Sequence, residues 1–171
     1  MIYEPREDTY LLKNYLEGLN LEEKKVLEIG TGSGIIAKTM NEKEAEVTAT
    51  DKNTEALENL PEDIKALNSD LFEEIDEKYD LVVFNPPYLP GNSLEDEMQG
   101  SETWYGGENG VEVAKKFLEA CPEYLKEGGE ALIILSSLSD YESLIKEFDL
   151  IEVDREKLFF EELMLMNQSL E

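Results

Sequence analysis

The chain contains no histidine, and Cys121 is its single cysteine. Without histidine, a Ser-His or Cys-His nucleophile pair cannot form, and no imidazole is available as a general base. The same shortages exclude zinc sites of the Cys₄, Cys₂His₂ and His₃ types built from this chain alone, and we predict no metal site. One cysteine cannot form an internal disulfide, which is typical of proteins in a reducing cytosol. We interpret Cys121, in a predicted helix, as a small buried hydrophobic residue.

Basic side chains are scarce as well. The 15 Lys and Arg face 41 Asp and Glu, which gives a formal net charge of -26. A surface of that sign repels phosphate backbones, so direct binding of nucleic acid is disfavoured. Salt screens the self-repulsion of such a surface, and we therefore expect a salt-adapted archaeal source.

Long apolar runs are missing too, since none reaches the roughly 18–20 residues that a membrane span requires. The first residues also lack the basic and then apolar pattern of a signal peptide. We therefore expect a cytoplasmic protein without membrane association.

The 171 residues, of which 41% are hydrophobic, fit one globular domain over 1–171. Apolar periodicity predicts helices over 7–19, 35–41, 54–60, 111–125 and 139–147, and strands over 25–30, 45–50, 64–68, 79–84, 131–135, 150–154 and 158–166. This alternation predicts an α/β fold with a seven-stranded, mostly parallel sheet and helices on both faces. The polar segment 89–109 has no clear period, and a loop of that length is usually functional or disordered.

Chemically distinctive side chains cluster where predicted strands end. Glu28 with Gly30, Asp51, Asp70 and Asn85 all lie at or just after a predicted carboxyl end. In parallel sheets covered by helices, ligands bind beyond those ends. We therefore expect a ligand site at the carboxyl ends of these strands.

A glycine-rich segment, 28–34 (Glu-Ile-Gly-Thr-Gly-Ser-Gly), joins the first predicted strand to the next helix. Glycines permit positive φ and let a ligand approach the backbone closely. The dinucleotide-binding fingerprint G-x-G-x-x-G has its third glycine one residue later. Spaced as Gly30, Gly32 and Gly34, the loop resembles instead the E/D-x-G-x-G-x-G loop of class I methyltransferases that use S-adenosylmethionine. The alternative is that these glycines only shape a tight turn.

Carboxylates near this loop suit the same ligand. Glu28 ends the first strand, where an acidic residue suits the cationic amino group of S-adenosylmethionine. Asp51 ends the second strand, where a carboxylate can accept hydrogen bonds from both ribose hydroxyls. Asp70 follows the third strand, where such enzymes commonly hold the adenine amino group. Either aspartate could instead be a helix cap or a solvated acid, so the prediction depends on their spacing.

The segment Asn85-Pro86-Pro87-Tyr88 follows the clearest buried strand. Pro86 and Pro87 fix φ and remove two backbone donors. The side-chain carbonyl of Asn85 and the backbone carbonyl of Pro86 can accept both hydrogens of a planar NH₂ group, on which Tyr88 can stack. Aligning that weakly nucleophilic nitrogen with a sulfonium methyl favours transfer by orientation and electrostatics, without a histidine base.

This turn predicts a planar nitrogen as the methyl acceptor. It does not separate the amide of glutamine from the amino groups of adenine, cytosine or guanine. Asn-Pro and Pro-Pro are also common turn dipeptides, so a plain turn is the alternative.

Over nearly its whole length the chain resembles the HemK-like protein-(glutamine-N5) methyltransferases of peptide-chain release factors, in their short archaeal and eukaryotic branch. The resemblance rests on four segments: the opening motif 3–12, the loop 27–34, the turn 85–88, and Trp-Tyr-Gly-Gly-Glu-Asn-Gly at 104–110. It implies methylation of the glutamine in a Gly-Gly-Gln motif, with residues 1–20 packing over the cofactor site and 89–109 forming a substrate-side loop.

The resemblance also implies roles for individual residues. The implied S-adenosylmethionine contacts are Thr9, Glu28, Gly30, Gly32, Gly34, Asp51, Lys52, Asp70, Leu71 and Asn85. The implied catalytic residues are Asn85, Pro86, Pro87 and Tyr88. The implied substrate contacts are Asn85, Pro86, Tyr88 and Trp104. For Trp104, packing in the core is the alternative to lining the substrate entrance.

Members of that branch usually work with a small zinc-binding activator that adds to the edge of the sheet, and we expect the same here. The apolar residues that hint at such an edge are Val47, Ala49, Ile64, Ala66 and Leu67; ordinary core packing is the alternative. Two other functions stay open: an amino-methyltransferase acting on tRNA, rRNA, DNA or another protein, and a non-catalytic module that binds the cofactor or a partner. A nucleic-acid substrate requires a cationic surface, which this chain lacks.

Overall fold

A computed structural model describes residue 2, residues 4–88, residue 107 and residues 110–170. The helices in these ranges are α1 (Glu7–Glu17), α2 (Ile35–Glu42), α3 (Thr54–Glu58), α4 (Glu112–Ala120) and α5 (Tyr141–Phe148). The strands are β1 (Lys25–Ile29), β2 (Glu46–Asp51), β3 (Lys65–Asn68), β4 (Tyr79–Phe84), β5 (Leu125–Ser136), β6 (Ile151–Lys157) and β7 (Glu162–Ser169).

The strands form one seven-stranded sheet in the order β3-β2-β1-β4-β5-β7-β6. Strands β1 to β5 run parallel, while β7 pairs antiparallel with both β5 and β6. The predicted seven-stranded, mostly parallel sheet is therefore confirmed. The chain moves outward from β1 to β3 and then crosses back to β4 on the other side of β1, so the strand order reverses between β1 and β4.

Alternating residues of the strands feed two separate cores, one on each face, because successive side chains of a strand point to opposite sides. One face carries Leu27 and Val82 and packs against α4 and α5. The other carries Val26 and Val83 and packs against α1 and α2. Helices therefore cover both faces, as predicted.

Helix α4 ends earlier than its apolar spacing predicts. It stops at Ala120, a 3₁₀ turn with Pro122 in its first turn follows over Cys121–Tyr124, and β5 begins at Leu125. Phe117, Cys121 and Leu125 are all buried. Because the 3₁₀ turn and the start of the strand continue the same apolar spacing, periodicity alone could not locate the end of the helix.

Strands β3 and β6 form the two edges of the sheet. Three of the apolar residues considered for an activator edge, Val47, Ala49 and Ile64, are buried in the core. For them ordinary core packing, the alternative, holds. Ala66 is exposed and Leu67 is half-buried on β3. No helix in the described ranges is both long and apolar enough to span a membrane.

Candidate active site

Strand register places the predicted site residues side by side at the carboxyl ends of the parallel strands. Ile29 pairs with Phe84, so Gly30 and Asn85, the residues that follow them, leave the sheet as neighbours. On the other side of β1, Asp51 ends β2 opposite Asn68 of β3. Ligands of such sheets bind at the carboxyl ends of strands where the strand order reverses, which here is the boundary between β1 and β4.

The glycine loop leaves β1 with a backbone that requires glycine. Gly30, Gly32 and Gly34 have φ of 66°, 51° and 76°, in the left-handed region that other residues rarely adopt. A Cβ on Gly34 would also lie 2.8 Å from Cδ2 of Leu60. Three of the loop positions at the carboxyl end of β1 therefore carry no side chain, which lets a ligand approach the backbone there closely.

Asp51 ties this loop to β2. Its Oδ2 accepts a hydrogen bond from the Gly32 N–H at 2.9 Å, and its Oδ1 accepts one from the Asn53 N–H at 2.8 Å. Asp51 is half-buried, and a carboxylate can accept about four hydrogen bonds. Acceptor positions are therefore left on both oxygens for the hydroxyls of a ligand.

Glu28 is buried at the end of β1 and accepts a hydrogen bond from Oγ1 of Thr31 at 2.7 Å. Burial raises the pKa of its carboxyl to about 8, and the nearby Asp51 carboxylate adds to the rise, although hydrogen bonds from Thr31 and from the Ala37 N–H act in the opposite direction. Glu28 is therefore largely protonated at neutral pH, and a bound cation would favour its ionised form.

The third predicted carboxylate, Asp70, lies beyond β3. Its Oδ2 pairs with Nζ of Lys52 at 2.8 Å. The next residue, Leu71, has φ of 47°, an unusual conformation for a leucine that turns the chain sharply here. A surface cleft of about 430 Å³ lies beside the pair, and Lys52, Asp70 and Leu71 are among its lining residues. This volume is within the range of small-molecule sites.

Asn85 has an unusual side chain. Its Oδ1 is buried and accepts no hydrogen bond from any residue that the structure describes. An unsatisfied buried acceptor typically costs about 1–3 kcal/mol. Such a group fits a position that receives an N–H donor from a ligand.

Tyr88 is half-buried and packs against the core that contains α1. Burial and the nearby Asp8 and Glu161 carboxylates raise the pKa of its hydroxyl, while the Arg6 guanidinium acts in the opposite direction. The hydroxyl therefore stays protonated beside Glu161. Because Arg6 and Asp8 flank the start of α1, the N-terminal helix begins beside the Asn85–Tyr88 turn.

The sequence patterns did not predict Glu161 or Ser136 near the turn. Glu161 lies near the Tyr88 hydroxyl, and Oγ of Ser136, at the end of β5, donates to Oε1 of Glu161 at 2.5 Å. Nothing in the sequence marks Glu161 among 41 acidic residues. For Ser136, the one available signal was its position at a strand end.

Of the remaining predicted site residues, Thr9 lies within the described part of the chain and Trp104 does not. Thr9 is buried near the start of α1, where its backbone N–H donates to Oδ1 of Asp8 at 2.6 Å. Trp104, most of the segment 89–109 and part of the opening motif 3–12 lie outside the described residues. Within the described part of the chain, no group of three or more carboxylate or thiol side chains could hold a metal ion.

Comparison with known proteins identifies the class. Residues 8–101, more than half of the chain, match the family model of the methyltransferase small domain. The chain therefore belongs to this methyltransferase family.

Three individual proteins are similar to this chain over most of its length. A protein of Methanocaldococcus jannaschii, named as a protein N5-glutamine methyltransferase, is 37% identical over 97% of this chain and 90% of its own length. The release factor glutamine methyltransferase of Streptococcus pneumoniae is 38% identical over 74% of this chain, and the match spans 51% of that relative's length. Among solved structures, the E. cuniculi Mtq2-Trm112 complex, described as responsible for methylation of the eRF1 translation termination factor, contains a similar chain. It is 28% identical with a TM-score of 0.81, and the match covers 98% of both chains.

Substitution of Glu28 tests its unusual ionisation. A carboxyl whose pKa is higher in the folded than in the unfolded protein stabilises the fold below its unfolded pKa, and that stability is lost as the pH rises through the folded pKa. The free energy of unfolding should therefore fall between about pH 4.5 and about pH 8 because of Glu28. Glu28→Gln should remove this component and be more stable than the wild type at pH 9.

The measurement is urea unfolding at pH 6 and pH 9 without ligand. Glu58→Gln, at an exposed position of α3, is the matched control and should follow the wild type. Parallel pH profiles for the wild type and Glu28→Gln would contradict the raised pKa.

Proposed function

We propose that this protein is an S-adenosylmethionine-dependent methyltransferase that modifies the glutamine side-chain nitrogen in the Gly-Gly-Gln motif of a translation release factor. The observation that carries the proposal is the buried Oδ1 of Asn85, which has no donor among the residues that the structure describes and lies beside the glycine loop at the reversal of strand order. The names of the M. jannaschii and S. pneumoniae relatives and the description of the E. cuniculi complex support the substrate.

The residues at the carboxyl ends of β1, β2 and β3 fit the proposed cofactor. When bound, S-adenosylmethionine supplies an electrophilic methyl group on a sulfonium sulfur. Glu28 would face its ammonium group, and the positive-φ glycines would admit its amino-acid portion close to the backbone. Asp51 would accept hydrogen bonds from the ribose hydroxyls. Asp70, Leu71 and Lys52 would hold the adenine end, and Thr9 would contact the cofactor from the N-terminal helix.

The Asn85–Tyr88 turn would select and orient the methyl acceptor. Oδ1 of Asn85 and the carbonyl of Pro86 would accept the two N–H groups of the glutamine amide. Pro87 helps to keep the turn rigid, because a proline ring holds φ near -65°. Tyr88 would cover the flat amide, with Glu161 beside its hydroxyl. Trp104 would contribute to the substrate side.

An amide nitrogen is a poor nucleophile because its lone pair is delocalised. Holding both of its hydrogens sets the direction of the nitrogen, and such orientation can supply a large part of the rate enhancement. Acceptor oxygens also stabilise the positive charge that develops on the nitrogen as the methyl is transferred. The proton can leave afterwards, so no histidine base is needed.

We expect purified protein to transfer a radiolabelled methyl group to its release factor. The glutamine of the Gly-Gly-Gln motif should gain one methyl in mass spectrometry, and a release factor with that glutamine replaced by alanine should remain unlabelled. Transfer to tRNA with none to the release factor would contradict the proposal and favour a base-modifying enzyme. Transfer to no substrate tested alongside normal cofactor binding would favour a non-catalytic module.

Two substitutions should separate catalysis from cofactor binding. Asn85→Ala removes the acceptor for the amide and should nearly abolish transfer, while the cofactor Kd changes only a few-fold. Asp51→Ala should weaken cofactor binding first, since it removes the proposed ribose acceptor and the anchor of Gly32. Cofactor Kd by calorimetry and single-turnover rates at saturating cofactor measure the two effects.

Asp63→Ala is the matched control for Asp51, because Asp63 accepts a surface hydrogen bond from Asn41 Nδ2 at 2.9 Å. It should leave both quantities unchanged. Loss of cofactor binding in Asn85→Ala would show that the catalytic turn has been assigned wrongly.

A small partner subunit at the edge of the sheet completes the proposal. The support is the Mtq2-Trm112 complex of the similar E. cuniculi chain, together with the exposed Lys65, Ala66 and Asn68 of edge strand β3. An edge strand has unpaired backbone groups on one side and is a template for another chain.

We further propose that the partner binds zinc. We also propose that the complex works in the cytoplasm of a salt-adapted archaeal cell without contacting nucleic acid directly.

We expect the chain to gain solubility and activity when it is co-expressed with a Trm112 protein. Light scattering and transfer rates with and without Trm112 measure both. A chain that is soluble, monodisperse and fully active by itself would contradict the need for a partner.

A further inference from the structure

Two neighbouring phenylalanines project from the turn between β6 and β7. Phe159 is 90% exposed and Phe160 is 86% exposed. Their rings contact each other edge to face, with centroids 4.5 Å apart and an interplanar angle of 87°. Phenylalanine is a residue type that folded proteins usually bury, so an exposed adjacent pair indicates an interaction surface.

The turn holds this Phe pair (Phe159 and Phe160) on a well-supported base. The Leu158 N–H donates to the carbonyl of Glu161 at 2.8 Å and closes the turn around the two rings. Lys157 and Glu162, just before and after it, form the last pair of the β6–β7 ladder. Leu158 also packs against the core that contains α1. The rings therefore project from an ordered hairpin.

The Phe pair adjoins the candidate active site through the next residue. Glu161 follows Phe160, and adjacent Cα atoms are about 3.8 Å apart. The carboxylate of Glu161 lies close enough to Tyr88 of the proposed catalytic turn to shift the pKa of its hydroxyl, and it accepts a hydrogen bond from Oγ of Ser136 at the end of β5. A macromolecule that inserts a side chain into the catalytic turn would therefore lie close to the Phe pair.

A further exposed apolar side chain lies in the loop after β5. Leu138 is 43% exposed and follows Ser137, whose N–H donates to the Glu162 carbonyl at 2.9 Å. The Glu162 N–H in turn donates to Oγ of Ser137 at 2.8 Å. The loop after β5 is thus fastened to the hairpin beside the Phe pair.

We propose that the Phe pair is the docking surface for the polypeptide substrate and anchors it while its glutamine enters the catalytic turn; this inference rests on the proposed function. Exposed aromatic rings at the rim of a site suit an apolar patch on a protein, since aromatic residues are enriched at the centres of protein interfaces. The overall charge of the chain specifies the partner further: at a net charge of -26, a substrate with a basic surface is attracted.

The same charge argues against other occupants. A second copy of this chain carries an equal negative charge and is repelled. Nucleic acid could stack its bases on the rings, but its phosphates meet the same repulsion. A basic polypeptide is the occupant that satisfies both the apolar and the electrostatic character of this surface.

The test replaces both rings by serine. In steady-state methyl transfer to the release factor, Phe159→Ser/Phe160→Ser should raise KM roughly tenfold, because truncating a central aromatic contact commonly costs binding by that factor or more. The value of kcat should stay within about twofold, since neither ring is proposed to touch the reacting atoms. The matched control is Ile151→Ser, which removes a 62% exposed apolar side chain at the other end of β6 and should leave KM unchanged.

Thermal melting and cofactor Kd verify the fold of each variant, and the single substitutions Phe159→Ser and Phe160→Ser replace the double variant if it fails to fold. A wild-type protein that labels no release factor would refute the proposed function itself. With an active wild type, an unchanged KM in the Phe variants would refute the docking surface alone, and so would a fall in kcat at constant KM. If the substitutions raised KM for tRNA and not for the release factor, the Phe pair would be a nucleic-acid contact. If the wild type were a dimer in sedimentation and the substitutions dissociated it, the Phe pair would bind a second copy of this chain.

Discussion

Parallel pairing of β1 with β4 is the constraint on which the candidate site depends. It brings together the segments that carry Glu28 and Asn85, which are distant in sequence. In this pairing Ile29 lies opposite Phe84. The glycine loop and the Asn-Pro-Pro-Tyr turn consequently leave the sheet side by side. A shift of one residue in this register would move every side chain of the strand to the opposite face of the sheet. The two cores on the two faces therefore maintain this register.

Within that frame, the site keeps polar groups in environments that are unfavourable without a ligand. Glu28 is buried with a carboxyl of raised pKa, and Oδ1 of Asn85 is buried without a donor from the described residues. Each is costly for the folded protein by itself, and each matches one chemical group of the proposed reactants. The apolar cores on both sides of the sheet supply the stability that offsets these costs. The site thus combines groups that a ligand would satisfy with a rigid scaffold that holds them.

The acidity of the chain has two separate meanings. A few carboxylates, chiefly Glu28, Asp51 and Asp70, lie at strand ends and suit a cofactor. Most of the others lie on the surface, where they set the sign of the field that an approaching partner meets. Exposed aromatic rings on so acidic a surface then become a basis for choosing among partners, because apolar contact and charge must both be satisfied by the same molecule.

Much of the fold could be predicted from the sequence. Short buried apolar runs predicted the strands, and the glycine spacing predicted the loop with positive φ, because both patterns are local. Asp51, Asp70 and Asn85 lie at or just after strand ends, as predicted, because these positions follow directly from the local strand patterns. The end of α4 was not predicted, since Cys121 and Leu125 continue its apolar spacing through a 3₁₀ turn into β5.

Only the tertiary structure decided which residues surround these groups. The Tyr88–Glu161–Ser136 contacts join three segments that are distant in sequence, and no local pattern distinguishes Glu161 from the other acids. The raised pKa of Glu28 depends on how completely neighbouring elements exclude water from it. The exposure of Phe159 and Phe160 depends on the turn in which they lie. The sequence by itself therefore determined the elements, their order and the chemistry at strand ends, while contacts, burial and ionisation came from non-local packing.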